Sequence, residues 1–455
     1  MRVRVTPGGA VGGEARVPGD KSIAHRWLIA AATAHGTSHL AGLPSSLDVR
    51  ASATCLAALA ESSRPALEAW ASGPGAAGEG NGSTWNPDER TLDVVEVDGQ
   101  GRPALGAAGG PLDCGNSGTT MRLLAGVAAS LPFSTVLSGD ESLSRRPMER
   151  VARPLRAMGA DVRTRSGSPP LRITGAALRA IDVEPDVPSA QVKGSILLAA
   201  IGAEGTTVVR EHVATRDHTE RLFAALDVPI RTSDGMVEVE GPSELSAFDG
   251  TVPGDPSAAA FLCGAAVLTG AAIAISDVGV NPSRLRWLAA LDRLGARTSH
   301  RGDREEVGEP VGTIEVAAPS ALEPIGVSAD ELPLVIDEIP VLATIAAHAD
   351  GESRFEGGGE LRFKESDRLE TLSEGLRGLG GEAVVEEDAL VIGGGGLRGG
   401  AAEAAGDHRI AMALVVAALA ADRPSEIDGV EVADVSFPGF VSTLRALGAD
   451  VEVLG

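Results

Sequence analysis

The chain has 455 residues, of which 43% are apolar, enough for two or three domains with cores of their own and too much for a disordered tail or a small stapled scaffold. Against 63 Asp and Glu stand 39 Lys and Arg, and the formal charge of −24 repels a phosphate backbone at long range, so nucleic acid is excluded as a partner while small anions are not. Cys55, Cys114 and Cys263 have no metal or disulfide spacing, the first residues hold no signal-peptide core, and the longest apolar run (410–421) falls short of the roughly 20 residues of a membrane helix, so a soluble, uncleaved cytoplasmic protein is expected.

In chain order, an opening strand leads into VPGDKSIAHR (17–26), where Asp20 is set to cap a helix whose first turns carry Lys21, Ser22 and Arg26. A free helix N-terminus with basic side chains favours an anion. Of all the basic residues only Lys21, Lys193 and Lys364 are lysine, the cation able to take part in proton transfer. CLAALA (55–60) is followed by a stretch, 61–110, that breaks the pattern; it reads as a flexible insertion, with a Gly-rich mobile loop near 71–85. GNSGTTMRLLAG (115–126) predicts a second Gly-bracketed helix start holding Asn116 and Gly118, with Arg122 one turn inside, and without the lysine of a triphosphate-binding loop. SRRPMERV (144–151) adds Arg145 and Arg146, and SAQVKGS (189–195) adds Ser189, Ala190, Gln191 and Lys193 at another helix start.

The later chain supplies acids as well as bases. VIDEIPVLA (335–343) sets Asp337 and Glu338 into an apolar stretch, where a carboxylate costs energy unless it is paired or used. FKESDRLE (363–370) gathers Lys364, Glu365 and Arg368, and GDHRIAMAL (406–414) begins a helix with His408 and Arg409. These motifs together describe a cleft that handles at least one multiply charged anion, with Asp337 and Glu365 available for proton transfer.

One phrase recurs: a leucine-rich helix end, Gly-Ala or its equivalent, then an alternating strand. Its copies start at 55, 155, 222, 291, 376 and 444, and the glycines predict left-handed helix caps. VPGDKS (17–22) also returns as VPGDPS (252–257), dividing the chain into halves of three units each. The expected architecture is two similar α/β domains, 20–250 and 1–19 plus 251–455, with the chain crossing near Gly19 and Gly254.

Taken in order, PGDKSxxHR, GNSGTTMRL, RPMxRV, SAQVKG, TRDHTE (215–220), DEIPVLA, FKESDRL and GDHRIAMA resemble the motifs of EPSP synthases from residue 17 to about 440. The resemblance implies a two-domain inside-out α/β barrel, each domain of three βαβαββ units. It implies transfer of the enolpyruvyl group of phosphoenolpyruvate to the 5-hydroxyl of shikimate 3-phosphate, without metal or organic cofactor, in a monomer inhibited by glyphosate. It implies that Lys21, Ser22, Arg26, Ser189, Ala190, Gln191, Arg216, Asp337 and Lys364 bind shikimate 3-phosphate. Lys21, Asn116, Gly118, Arg146, Gln191, Arg368 and Arg409 would bind phosphoenolpyruvate. Asp337, Glu365 and Lys21 would carry the proton transfers. The chain departs from the family pattern where Val435 replaces a lysine, Ala190 a second serine and Leu123 a proline, and no tyrosine exists to meet the shikimate ring. The sister transferase acting on UDP-N-acetylglucosamine has a Lys-Asn pair where Lys21 and Ser22 stand here, and a non-catalytic anion-binding repeat protein would not need both Asp337 and Glu365.

Overall fold

A computed structural model describes residues 1–73 and 93–454. Six helices along the chain are apolar on nearly every side: α1 (Lys21–Thr33), α2 (Gly118–Ala128), α3 (Ala190–Ala200), α4 (Pro256–Leu268), α5 (Ile339–Ala346) and α6 (His408–Ala418). All the residues of α5 and α6 are buried, as is most of each of the others, which is the position a helix without a polar face must take. More polar helices, such as Glu149–Met158 and Arg286–Arg293, cover one flank only.

Six small mixed sheets flank these helices among the described residues. The recurring phrase forms the same unit in the copies at 155, 222, 291 and 376: the edge strand after the helix turns back into an antiparallel partner. Asp161–Arg165 pairs with Ser168–Thr174, Arg297–Glu306 with Glu309–Ala317, and Glu382–Glu386 with Ala389–Gly393. Gly159 ends its helix at φ 119°, where a Cβ is costly, and in the looser copy Asp227 takes the left-handed turn at 58°. The last copy has no hairpin partner downstream. Its strand Asp450–Leu454 pairs instead with Arg2–Thr6, so the chain's first strand completes its final unit.

The apolar side chains fall into two cores. One runs from Ile23 to Val252; the other joins Val3–Val17 to Ala258–Val451. Between them the two echoing motifs meet, with Gly19 and Gly254 forming an antiparallel bridge. The Asp20 amide donates to the Pro253 carbonyl at 2.7 Å, and that of Asp255 to Pro18 at 2.8 Å. Within 61–110 the structure differs from an unstructured excursion. Arg64–Ala71 is a helix seated by Leu67, and Val95–Gln100 pairs along Ala34–Ala41 with Val95 and Val97 buried. The alternation VVEVDG is a strand signal that the surrounding glycines mask. Most of the loop expected near 71–85 lies outside the described residues.

Candidate active site

The six inner helices start around one cavity of about 230 Å³. Five of the six starts are fixed by a capping side chain, and α5 begins without one. Asp20 accepts the Ile23 amide at 3.0 Å, Ser117 that of Thr120 at 3.1 Å, and Ser189 that of Val192 at 3.4 Å. Asp255 caps α4, and Asp407 caps α6 through the amides of Arg409 and Ile410. Capping holds the first turns rigid and leaves their positive ends toward the cavity, where they favour anions.

Lys21, Ser22, Gly118, Arg146, Ser189, Ala190, Gln191, Arg216, Asp337, Lys364, Glu365, Arg368 and Arg409 all line this cavity. Asp337 is the focus of its positive charge. Arg216 Nη2 lies 2.6 Å from its carboxylate, Arg409 Nη2 3.6 Å, Arg368 Nη1 3.7 Å and Lys364 Nζ 4.0 Å. Burial alone would raise this carboxyl, but Arg409, Arg216, Lys364 and Arg368 together hold it well below the usual range. Next to it, Glu338 is pushed the other way, by burial first and then by the Asp337 charge, and accepts a hydrogen bond from Ser257.

Arg368 also reaches the second acid. Its Nη2 lies 2.5 Å from Glu365, whose other oxygen is 3.5 Å from Arg146 Nη1. Burial would raise Glu365, and the charges of Arg368, Arg146 and Lys21 outweigh it, so this carboxyl too lies well below its ordinary value. Lys364 is lowered by burial and by Arg368 and Arg409, against the pull of Asp337 and Glu365. Lys21 is paired with Asp48 at 2.7 Å. His408 is held neutral by burial and then by Lys21, and its Nε2 is buried without a partner.

Two expected residues stand one layer behind the cavity wall. Arg26 spends its donors on Thr219 Oγ1 and the Ser22 carbonyl, each at 2.8 Å, and on the Ala190 carbonyl at 3.3 Å, so it ties α1 to the start of α3. Asn116 donates to Asp140 at 2.7 Å and accepts from Arg146, which orients that guanidinium. Lys193, the third scarce lysine, is 2% exposed and paired with Glu211 at 2.7 Å and Glu220 at 2.6 Å. Its role is in the core.

Asp48, Arg122, Arg150 and Glu360 also line the cavity, and sequence reasoning did not assign them to it. A signal existed for one of them: Arg122 follows Gly118 at the four-residue spacing that puts positions on one helix face, whereas Arg146 is extended and precedes the helix Glu149–Met158 that carries Arg150. Asp48 and Glu360 carried no such signal. Among the described residues no cluster of acids, His and Cys is arranged to hold a metal ion, and no helix is long and apolar enough to cross a membrane.

A family model for EPSP synthase (3-phosphoshikimate 1-carboxyvinyltransferase) matches residues 5–75 and 82–444. The 3-phosphoshikimate 1-carboxyvinyltransferase of Halorhodospira halophila is 44% identical over 456 residues, spanning 99% of this chain and 97% of that protein. That of Methylococcus capsulatus is 42% identical over 450 residues, spanning 98% and 97%. Among solved structures, EPSP synthase from Acinetobacter baumannii superposes with a TM-score of 0.82 over 100% of both chains at 36% identity. The enolpyruvyl transferase NikO from Streptomyces tendae, 20% identical, shares the fold with a TM-score of 0.74 over 99% of this chain and 98% of that one. With the match running nearly end to end and its motifs gathered on one cavity, the chain belongs to the EPSP synthase family, the 3-phosphoshikimate 1-carboxyvinyltransferases.

Proposed function

We propose that this cavity joins phosphoenolpyruvate to the 5-hydroxyl of shikimate 3-phosphate and releases phosphate, in the reducing cytoplasm, with the whole site carried by one chain. The observation that carries this reading is Arg368, one guanidinium spanning Asp337 at 3.7 Å and Glu365 at 2.5 Å. Two acids on one cation, in a cavity whose lining holds more cations than acids, suit a reaction that moves a proton at each end of a bond between two anions.

Ser22, Ser189, Ala190, Gln191, Arg216 and Lys364 hold shikimate 3-phosphate, with Arg26 bracing Ser22 and Ala190 from behind. Lys21, Gly118, Arg146, Gln191, Arg368 and Arg409 hold phosphoenolpyruvate, with Asn116 setting Arg146. Clamping both anions brings the 5-hydroxyl against C2 of the donor. As the substrates' charges engage the cations, Asp337 and Glu365 recover basicity. Asp337 takes the hydroxyl proton while the new C–O bond forms at C2, and Glu365, which takes up a proton from solvent once its basicity has risen, delivers that proton to C3, giving a tetrahedral ketal phosphate. Glu365 then takes a proton back from C3, the C–O bond to phosphate breaks, and Lys21 protonates the departing oxygen. The C2–C3 double bond is regenerated, now as part of an enol ether to the acceptor.

Two domains of an inside-out barrel, 20–250 and 1–19 plus 251–455, are the architecture we infer for this work. The two separate cores and the paired crossing at Gly19 and Gly254 support it. Cys114 is fully buried, and a hydrogen bond with Cys55 and then burial push its thiol well up, which argues against a nucleophilic cysteine of the UDP-N-acetylglucosamine type. Phosphate release from phosphoenolpyruvate should require shikimate 3-phosphate and should not occur with UDP-N-acetylglucosamine. Release with the second acceptor, or with neither, would reverse the reading.

Glyphosate should inhibit by occupying the donor's place, and Gly118 should set how well it fits. A Cβ built on Gly118 lies 2.8 Å from Arg122 Nη1 and 3.2 Å from Arg146 Nη1, so an alanine must move both guanidiniums. We expect Gly118→Ala to raise the glyphosate inhibition constant about tenfold or more and KM for phosphoenolpyruvate by about threefold, because the longer ligand has less slack at near-contact distance. Equal inhibition constants for the two proteins would show that Gly118 does not set the fit.

A further inference from the structure

One cation of the cavity has no part in the scheme above. Arg122 lies four residues into α2, and its side chain turns back over the helix start, as helical side chains do. Its Nη1 and that of Arg146 come within 2.8 and 3.2 Å of where a Cβ on Gly118 would stand, so two guanidiniums from different segments converge above one bare backbone. The positive end of an 11-residue helix lies beneath them.

Little negative charge offsets this. Arg122 Nη1 donates to Gln191, and Nε is buried with no partner. The Nε of Arg146 is buried and unpartnered as well. Of the nearby acids, Glu360 is engaged by Arg150 at 2.9 Å and Glu365 is 3.5 Å from Arg146; among the described residues none pairs with Arg122. Burial, then the Arg146 and Arg150 charges, push Arg122 down to about 9. A guanidinium nonetheless stays protonated at neutral pH, so Arg122, Arg146 and Arg150 carry more charge than Glu360 and Glu365 offset, and an incoming anion can balance the rest.

We propose that Arg122 is a further donor-binding residue, holding the phosphoryl group of phosphoenolpyruvate jointly with Arg146 over the Gly118 amide. This assignment rests on the reading of the cavity given above. Three donors arriving from different directions match a tetrahedral dianion, whereas a planar carboxylate is satisfied by a single guanidinium fork. Arg122 Nη1 donates to Gln191, whose Nε2 also donates to Thr119 at 2.8 Å, an anchor on α2 that does not depend on Arg122.

Full-length Arg122→Gln and Arg122→Lys test this. Wild-type protein must first release phosphate from the two substrates; failure there counts against the reading of the cavity and not against Arg122. Given turnover, Arg122→Gln should raise KM for phosphoenolpyruvate and the inhibition constant of inorganic phosphate by about 10- to 100-fold, leaving KM for shikimate 3-phosphate within about twofold. Pyruvate, a carboxylate without the phosphoryl group, should inhibit both proteins equally. A lysine begins lower than arginine and is lowered further by the same burial, so in Arg122→Lys KM for phosphoenolpyruvate should climb about tenfold between about pH 7 and 9, while wild type stays flat. That profile also serves if the glutamine variant does not fold. An unchanged phosphate constant, a shift for pyruvate alone, a parallel loss of shikimate 3-phosphate affinity, or a flat profile in the lysine variant would each overturn the assignment.

Discussion

Asp337→Asn should bind shikimate 3-phosphate within a few-fold of wild type and turn over about a thousandfold more slowly, within the range that a general base contributes. The amide keeps the shape of the carboxyl and accepts hydrogen bonds, but it cannot take the hydroxyl proton. Isothermal titration with shikimate 3-phosphate and steady-state phosphate release separate the two effects, and turnover near the wild-type rate would remove Asp337 from the chemistry. Stability offers an independent reading of the same site. The Asp337 pKa in the folded state is held well below its unfolded value by Arg409, Arg216, Lys364 and Arg368, although burial opposes them. A depressed carboxyl contributes stability that is present above its unfolded pKa of about 3.9 and is lost as pH falls through the folded value. Asp337→Asn should therefore melt below wild type near neutral pH, and the gap should narrow as pH drops below about 4. A gap constant with pH would mean that the four cations do not act through this charge.

The features legible in the sequence are those whose cause is local. A helix that stops and re-enters as a strand is often turned by a left-handed residue, so Gly159, Gly295, Gly380 and Gly448 mark four of the six units before any contact is known, while the unit at 55 ends at Ala60 in extended backbone. Helix starts likewise need a capping side chain, which is why Asp20, Ser117, Ser189 and Asp407 sit beside the cavity residues they position. Hidden features depend on distant partners. Nothing near Lys193 in the chain reveals Glu211 and Glu220, and nothing near Arg26 reveals that Thr219 will turn it into the wall. Arg122 was visible as a cation at a helix start, but that Gly118 clears space for it is a fact of packing. The strand at Val95–Gln100 was lost because its Gly-rich surroundings outweigh six alternating residues.

Removing Arg284 should have the largest effect on stability, because this residue fastens the place where the chain crosses between the two cores. Its side chain is 1% exposed and lies between Asp20, with which it hydrogen-bonds, and Asp255 at 2.8 Å, the two residues that cap α1 and α4 directly after the crossings. It also donates to Ser257 at 3.0 Å and faces His218 Nε2 at 3.2 Å, so that nitrogen accepts and Nδ1 donates to Glu309 at 2.7 Å. Burial would lower the guanidinium, and Asp20, Asp255, Glu338 and Asp337 raise it above its ordinary value instead. Arg284→Met leaves two buried carboxylates without their counter-charge, at an expected cost of about 3–5 kcal/mol, read from chemical denaturation. Repairing the charge tests the cause: Asp20→Asn and Asp255→Asn added to Arg284→Met should recover at least half of the loss, since neutral amides can still cap the helices. Because Ser257 connects Arg284 to Glu338 beside Asp337, the single variant should also turn over more slowly than its loss of folded protein accounts for. A single variant as stable as wild type, or a triple variant no more stable than the single one, would show that the crossing is fastened by packing and not by this charge.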